Sequence, residues 1–448
     1  MMRFFFSFTF LSLFNVLSAQ EIQFLNQYDS NEIGSYATEV LELNEQLLGM
    51  LSHDVEMYRI SYEMPFMGEQ IWVSGAAFLP SGFNTAEAYP ILVFNHGTTF
   101  VRTSAPSFKD QINNMGYLLS SLGFIVLMPD YVGLGESQIM HPYCHAESES
   151  DCGWSLVQAF TDSQTEFEVN HNGNLFISGY SQGGHVAMAM AKDLVPASIE
   201  NEVELRAVAP LSGPYDMSGV QLPFTFAEIS YSNPAYLFYI LKGWNEVYGD
   251  LYTDFSEVCN EPYASIIEPM LNGEYSADEI NAQCPEILTN LFPEDLIQEV
   301  LNDPNHIIMQ RAQENNVFEW VPTLPMRINY CTQDEEVFYQ NALSAEAWMV
   351  ENGSEDVVAY NMGNVNHNTC ALPAITMAAL WFYSINNGGM TSVLDPELDS
   401  STTCTLYDLL GRVVYEGEGN PKLWPHLRGV YLVQYGSESA LQKIYLAR

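Results

Sequence analysis

Positive charge is what this chain of 448 residues has least of: Lys and Arg number 14 against 56 Asp and Glu, a formal net charge of -42. Such a surface repels phosphate backbones and anionic lipid, so nucleic acid is excluded as a partner. Long apolar runs are missing outside the first twenty residues, so no stable membrane insertion is expected. Metal-ligand spacing is missing too. The nine His are scattered and the Asp/Glu clusters lack coordination spacing, so neither a metal nor a cofactor is expected.

The N-terminus carries the features of an export leader. Residues 1–20 hold one positive charge, an apolar stretch interrupted by Ser7, Ser12 and Asn15, and a small-residue end at Leu17-Ser18-Ala19. They read as a secretory signal peptide, which implies a soluble protein at the outer cell surface or beyond. Without the leader with its Arg3, and without residues 391–448 with their five bases and seven acids, the body keeps 8 basic and 49 acidic residues. That balance suits a neutral substrate.

Residues 57–79 read as an antiparallel hairpin turning at Gly68. Unbroken apolar runs follow at 91–94, 124–128, 175–177 and 203–209, separated by helical stretches near 109–121, 151–169 and 183–195. Continuous apolar strands alternating with helices predict an α/β fold with a buried, mostly parallel sheet. Residues 215–322 break that rhythm and read as a helical cap inserted after the sixth strand, with helices at 234–248, 277–291 and 293–301. Its aromatic face is expected to line a substrate pocket. The sheet resumes at 326–330, a helix runs to about 350, and a last strand at 357–361 precedes a helix over 371–386.

The sequence that organises the rest is Gly179-Tyr180-Ser181-Gln182-Gly183, lying between an apolar strand and a helix-favouring run. A bare G-x-S-x-G is a weak signal. Strand, sharp turn and helix around it are what a nucleophile elbow needs, with the hydroxyl at the tip. The backbone N–H of Gln182 then points at the space where an oxyanion would form. A serine alcohol needs a base, and the base a carboxylate to fix its tautomer. Downstream of the resumed sheet stand only His367 and His426, the latter in the tail, so His367 is the expected base. Asp334, between a strand end and a helix, is the expected acid, with Glu335, Glu336 and Asp356 as rivals. The second oxyanion donor is expected from the loop after 91–94, at Thr98 with Thr99 as alternative, while His96 reads as a loop-holding residue.

Four segments stand together in order: N-H-G-T at 95–98, P-D-Y-x-G-L-G at 129–135, H-P-Y-x-x-A-E-S at 141–148 and G-x-S-Q-G-G at 179–184. The set resembles the α/β-hydrolase family, and within it the secretory-lipase-like esterases, over roughly residues 40–390. The resemblance implies a serine carboxylic-ester hydrolase with Ser181, Asp334 and His367 as triad. The chain departs from it after Ser148, where Glu149-Ser150-Asp151-Cys152 is polar. A serine peptidase of the same fold and an inactive surface-binding protein are the alternatives.

Of the seven cysteines, Cys144 and Cys152 are close in sequence and Cys259 and Cys284 share the cap. A Cys331–Cys370 bridge would clamp the acid and base loops together and leave Cys404 over, though other pairings, or free thiols, fit the sequence as well. The chain divides into the leader, a catalytic domain over 21–390, a polar linker over 391–403 and a small β-rich domain over 404–448. The last, through Y-D-L-L-G-R, G-V-Y and a terminal K-I, resembles the C-terminal sorting domain of the type IX secretion system, which implies that machinery as a partner.

Overall fold

A computed structural model describes residues 20–387 except 44, 82–86, 194, 228–230 and 286–289, together with four C-terminal strands. The leader up to Ala19, the linker up to residue 402 and His426 lie outside the described residues. Nine strands form one sheet: β1 (Gln20–Tyr28), β2 (Asp54–Phe66), β3 (Glu69–Ser81), β4 (Ala88–Asn95), β5 (Ile125–Pro129), β6 (Asn170–Tyr180), β7 (Glu204–Leu211), β8 (Met326–Tyr330) and β9 (Val357–Asn361). Their order is β1-β2-β3-β5-β4-β6-β7-β8-β9. The first three run antiparallel, and from β5 onward every pairing is parallel.

Alternation along β4 shows how the sheet is built. Ile91 and Val93 face one side, with Val186 and Met190 of the helix Gln182–Asp193 and Trp154 and Phe160 of the helix Ala146–Asp162. Leu92 and Phe94 face the other, with Tyr117 and Leu119 of Met115–Ser121 and Trp381 and Phe382 of His367–Asn386. Both faces are covered by helices, so the strand needs no polar side. The chain passes from β4 to β5 on one side and then to β6 on the other. The crevice beyond the carboxyl ends of β4 and β6 is therefore a topological switch point, where ligands of such sheets bind.

Several elements differ from expectation. The strand Gln20–Tyr28 and the helix Ser30–Glu39, with its Asp29 capping box, were not anticipated. The cap therefore follows the seventh strand of this chain. Gln20, read as the last leader residue, already pairs with Tyr62. The helix expected near 109–121 starts only at Met115, where Asn114 caps it. The helix expected over 151–169 spans Ala146–Asp162, because the His145 side chain caps the amide of Ser148. The last helix begins at His367 behind an Asn366 cap, four residues earlier than read.

In the cap, Pro234–Tyr248 is a helix with Pro at its first position and Gly249 (φ 69°) past its end, the usual start and stop chemistry. Of the helix expected over 277–291, the described residues form Ala277–Asn281, and 286–289 lie outside them. Pro285 lies three residues past its Ala282 cap, and a proline disfavours helix in the residue before it. The cap has its own core around Phe238, Trp244, Ile267 and Phe292. At the C-terminus, β10 (Thr403–Tyr407), β11 (Val413–Glu418), β12 (Gly429–Tyr435) and β13 (Gln442–Leu446) form a separate antiparallel sheet ordered β11-β10-β12-β13. The run read as one strand over 406–415 is divided between two.

Candidate active site

Ser181 follows β6 directly and has φ 61°. A side-chain-bearing residue in the left-handed region is costly and persists only where surrounding bonds enforce it. Here they do: the Ser181 N–H donates to Leu211 O (2.9 Å), and its carbonyl accepts from the amides of Gly184 (2.8 Å) and His185 (3.2 Å). A Cβ at Gly183 would collide with the Asn95 carbonyl at the end of β4, so glycine lets the elbow helix press against the neighbouring strand. Gly97 makes the matching approach from the β4 loop: a Cβ there would stand 3.3 Å from Tyr180 O and 3.8 Å from Ser181 Cβ.

Asp334 and His367 are brought together as expected. Asp334 Oδ1 accepts the amides of Glu336 (3.1 Å) and Val337 (2.8 Å), which turns Oδ2 toward His367 Nδ1 at 2.7 Å. His367 opens its helix, its N–H donating to Glu335 Oε2 (3.1 Å). Its carbonyl accepts from the hydroxyl of Tyr180 (2.6 Å), the residue before Ser181. Cys331, just past β8, is disulfide-bonded to Cys370, one turn along the helix from His367. The bridge ties the two loops as the sequence allowed, while Cys144, Cys152, Cys259 and Cys284 are free thiols. Of the rival acids, Asp356 instead pairs with Arg327 at 2.6 Å.

Burial opposes the charged form of His367, but the hydrogen bond and charge of Asp334, with the charges of Glu336 and Glu335, outweigh it and hold the imidazole pKa above its ordinary value. Two other nearby histidines go the opposite way. His96 is pushed down to about 4 and His141 to about 3, both chiefly by burial. His96 holds its loop: its ring reaches Gly97 O (2.6 Å) and Asp130 O (3.4 Å) and stacks on Tyr131.

Gln182 is the first residue of the elbow helix, so its N–H has no partner within that helix and is available to a ligand. Its side chain is locked from behind, Nε2 donating to Glu149 Oε1 (2.6 Å) and to His141 Nε2 (2.8 Å), while His141 Nδ1 donates to Val132 O (2.7 Å). Glu149 also accepts from the Cys144 amide (2.9 Å) and His185 Nδ1 (3.2 Å). The polar stretch after Ser148, which set this chain apart, thus supplies a buried carboxylate beneath the elbow. Thr98 pairs its hydroxyl with Tyr143 at 2.8 Å, which fixes the loop beside Ser181.

Ser181, His367, Thr98 and Thr99 all line one cleft of about 730 Å³, together with Glu336 and the cap residues Asn233, Tyr236 and Asp278. A smaller space that Ser181 also borders is lined by Gln182, Met217, Leu222, Leu237, Ile240 and Val337. The cap contributes aromatic rings, as expected, and also polar side chains that composition did not reveal. Among the described residues no cluster of three or more His, Cys, Asp or Glu could hold a metal ion, and no helix is long and apolar enough to cross a membrane.

No protein-family model matches the chain, and no curated relative matches it. Solved structures do. The rice cell wall degrading esterase LipA from Xanthomonas oryzae is similar at 24% identity and a TM-score of 0.69, over 82% of this chain and 96% of that one. A Legionella pneumophila protein, whose hydrolase assignment is itself provisional, is similar at 22% identity and a TM-score of 0.73, over 83% and 99%. Candida antarctica lipase A in its closed state is similar at 12% identity and a TM-score of 0.60, over 84% and 83%. With its sheet order and elbow, the chain has the α/β-hydrolase fold.

Proposed function

We propose that the protein is an exported carboxylic-ester hydrolase that works through an acyl-enzyme on Ser181. The observation that carries this reading is the 2.7 Å bond between Asp334 and His367 beside a cleft shared with Ser181 at φ 61°. Ser181 Oγ attacks the ester carbonyl while His367 Nε2 takes its proton. Asp334 holds the Nδ1–H tautomer and stabilises the imidazolium. The amides of Gln182 and Thr98 receive the oxyanion. His367 then protonates the departing alkoxide and activates a water that releases the acid.

The esterase and lipase names of the similar structures support the ester class. The leader, the acidic surface and the tail's resemblance to a type IX sorting domain support export through the periplasm, with the tail addressed to that machinery. A chain-length series of p-nitrophenyl esters beside aminoacyl amides tests the reading. Hydrolysis of the esters that disappears in Ser181→Ala is the expected result. Full turnover by Ser181→Ala contradicts it, and preference for the amides favours the peptidase alternative. Export is tested separately, since a tail-deleted chain that still reaches the medium contradicts the sorting role.

A further inference from the structure

Glu336 has no part in the mechanism above, yet it stands where the mechanism is most sensitive. It is buried two residues past Asp334, with Oε2 3.8 Å from His367 Nε2, the nitrogen that must receive the serine proton. Its other oxygen accepts from Asn233 Nδ2 at 2.8 Å, at the start of the cap helix Pro234–Tyr248, and the Tyr236 hydroxyl also reaches the carboxylate. Asn233 is held in turn by Asn281 Nδ2 (2.9 Å), and the Glu336 carbonyl accepts from Gln221 (2.9 Å) and Tyr231 (3.1 Å). Both spaces around Ser181 are lined by Glu336.

We propose that Glu336 is a positioning residue for the base, a cap-anchored carboxylate that faces Nε2 of His367 and steadies the imidazolium opposite Asp334. The proposal rests on the reading of His367 as the base. When His367 takes the serine proton, its ring lies between two carboxylates, one hydrogen-bonded to Nδ1 and one facing Nε2. The second is tethered by the cap rather than by the sheet, so cap docking sets its distance. An ionised Glu336 therefore stabilises the charged ring during reaction and also raises the pH at which the resting ring becomes neutral. The titratable groups around the ring are Asp334, Glu335 and Glu336 from the acid loop and Tyr180 from β6, and those around Glu336 include Tyr231 and Tyr236 from the cap. Burial, the largest influence, raises the Glu336 carboxyl above the ordinary carboxylate range.

The test is an NMR titration of the His367 ring in histidine-labelled full-length protein, beside the pH profile of kcat/KM on a synthetic ester. Glu336→Gln keeps the shape and the Asn233 contact and removes the charge. Its ring titration and the acid limb of kcat/KM are expected to fall together by about one unit or more. Asn233→Ala frees the carboxylate without removing it and is expected to give a smaller shift in the same direction, which keeps the test open if the first variant folds poorly. A ring titration unchanged in both variants overturns the role of Glu336. A shifted ring titration in protein that hydrolyses no ester leaves the coupling of Glu336 to the ring standing and overturns the reading of His367 as the base of a hydrolase instead.

Discussion

Two buried glutamates flank the elbow, and they are held in opposite ways. Glu149, beneath Gln182, accepts from the Cys144 amide, the Gln182 side chain and His185, all in the body and within hydrogen-bond distance. Glu336, beside His367, is held from the cap by Asn233 and Tyr236, and its second oxygen faces the imidazole across 3.8 Å. A fully paired buried carboxylate is scaffold, because the removal of any partner leaves an uncompensated charge. A carboxylate with one oxygen turned to a titrating ring adjusts the chemistry instead. The difference separates the side of the site that is fixed, where the oxyanion would rest, from the side that responds to pH and to the cap.

Mutation can sharpen that contrast. The largest expected effect belongs to neither glutamate but to the groups they flank: Ser181→Ala and His367→Ala should each lower kcat on a p-nitrophenyl ester by roughly 10⁴-fold or more, with the fold kept by circular dichroism. Asp334→Asn should cost on the order of 10³ to 10⁴, since an amide at 2.7 Å from Nδ1 favours the wrong tautomer. Glu149→Ala should act on stability, by about 3 kcal/mol in urea unfolding, because it strands His185 and Gln182 in the interior. If Glu149→Ala moved the pH profile while leaving stability alone, the contrast between the two glutamates would be lost.

The bridge provides a test that is milder on activity, though not on stability. Replacing Cys331 and Cys370 together by Ala opens a loop of 39 residues and should cost about 4 kcal/mol on the chain-entropy estimate. The acid loop and the base helix lose their tie, but the Asp334–His367 bond remains, so kcat should fall less than in Asp334→Asn. The smallest expected effect concerns pH. His367 is held above its ordinary value, so it is fully protonated at low pH and activity should rise only as pH climbs through a midpoint above about 6.5. His96 and His141 are held near 4 and 3 and should stay neutral across that range, so neither should add a midpoint of its own.

The body was legible in the sequence for a physical reason. A strand buried on both faces must be apolar throughout, so residues 91–94 and 124–128 announce themselves. An elbow that packs helix against strand must place glycine where a carbonyl intrudes, as at Gly183. β1 was not legible because its residues are mostly polar and only partly covered, with Phe24 exposed, so neither alternation nor a continuous run marks it. The cap was legible as helical but not in detail, since its helices are short and held by tertiary contacts such as the Asn260 amide on Leu291 O. The Asp334–His367 pairing could be anticipated from the elbow, the strand ends and chain order, with Glu335, Glu336 and Asp356 left as rivals for the acid. The role of Glu336 could not, because its partner Asn233 stands 103 residues away in the cap. In sequence it was simply one of three consecutive acids.

Mass spectrometry of the full-length protein quenched during turnover of a slow p-nitrophenyl ester tests the central claim most directly. A mass increase equal to the acyl group, mapped to the peptide containing Ser181 and absent in Ser181→Ala, is the predicted result. Sustained hydrolysis with the acyl group on another residue, or with no covalent adduct under any quench, would contradict it.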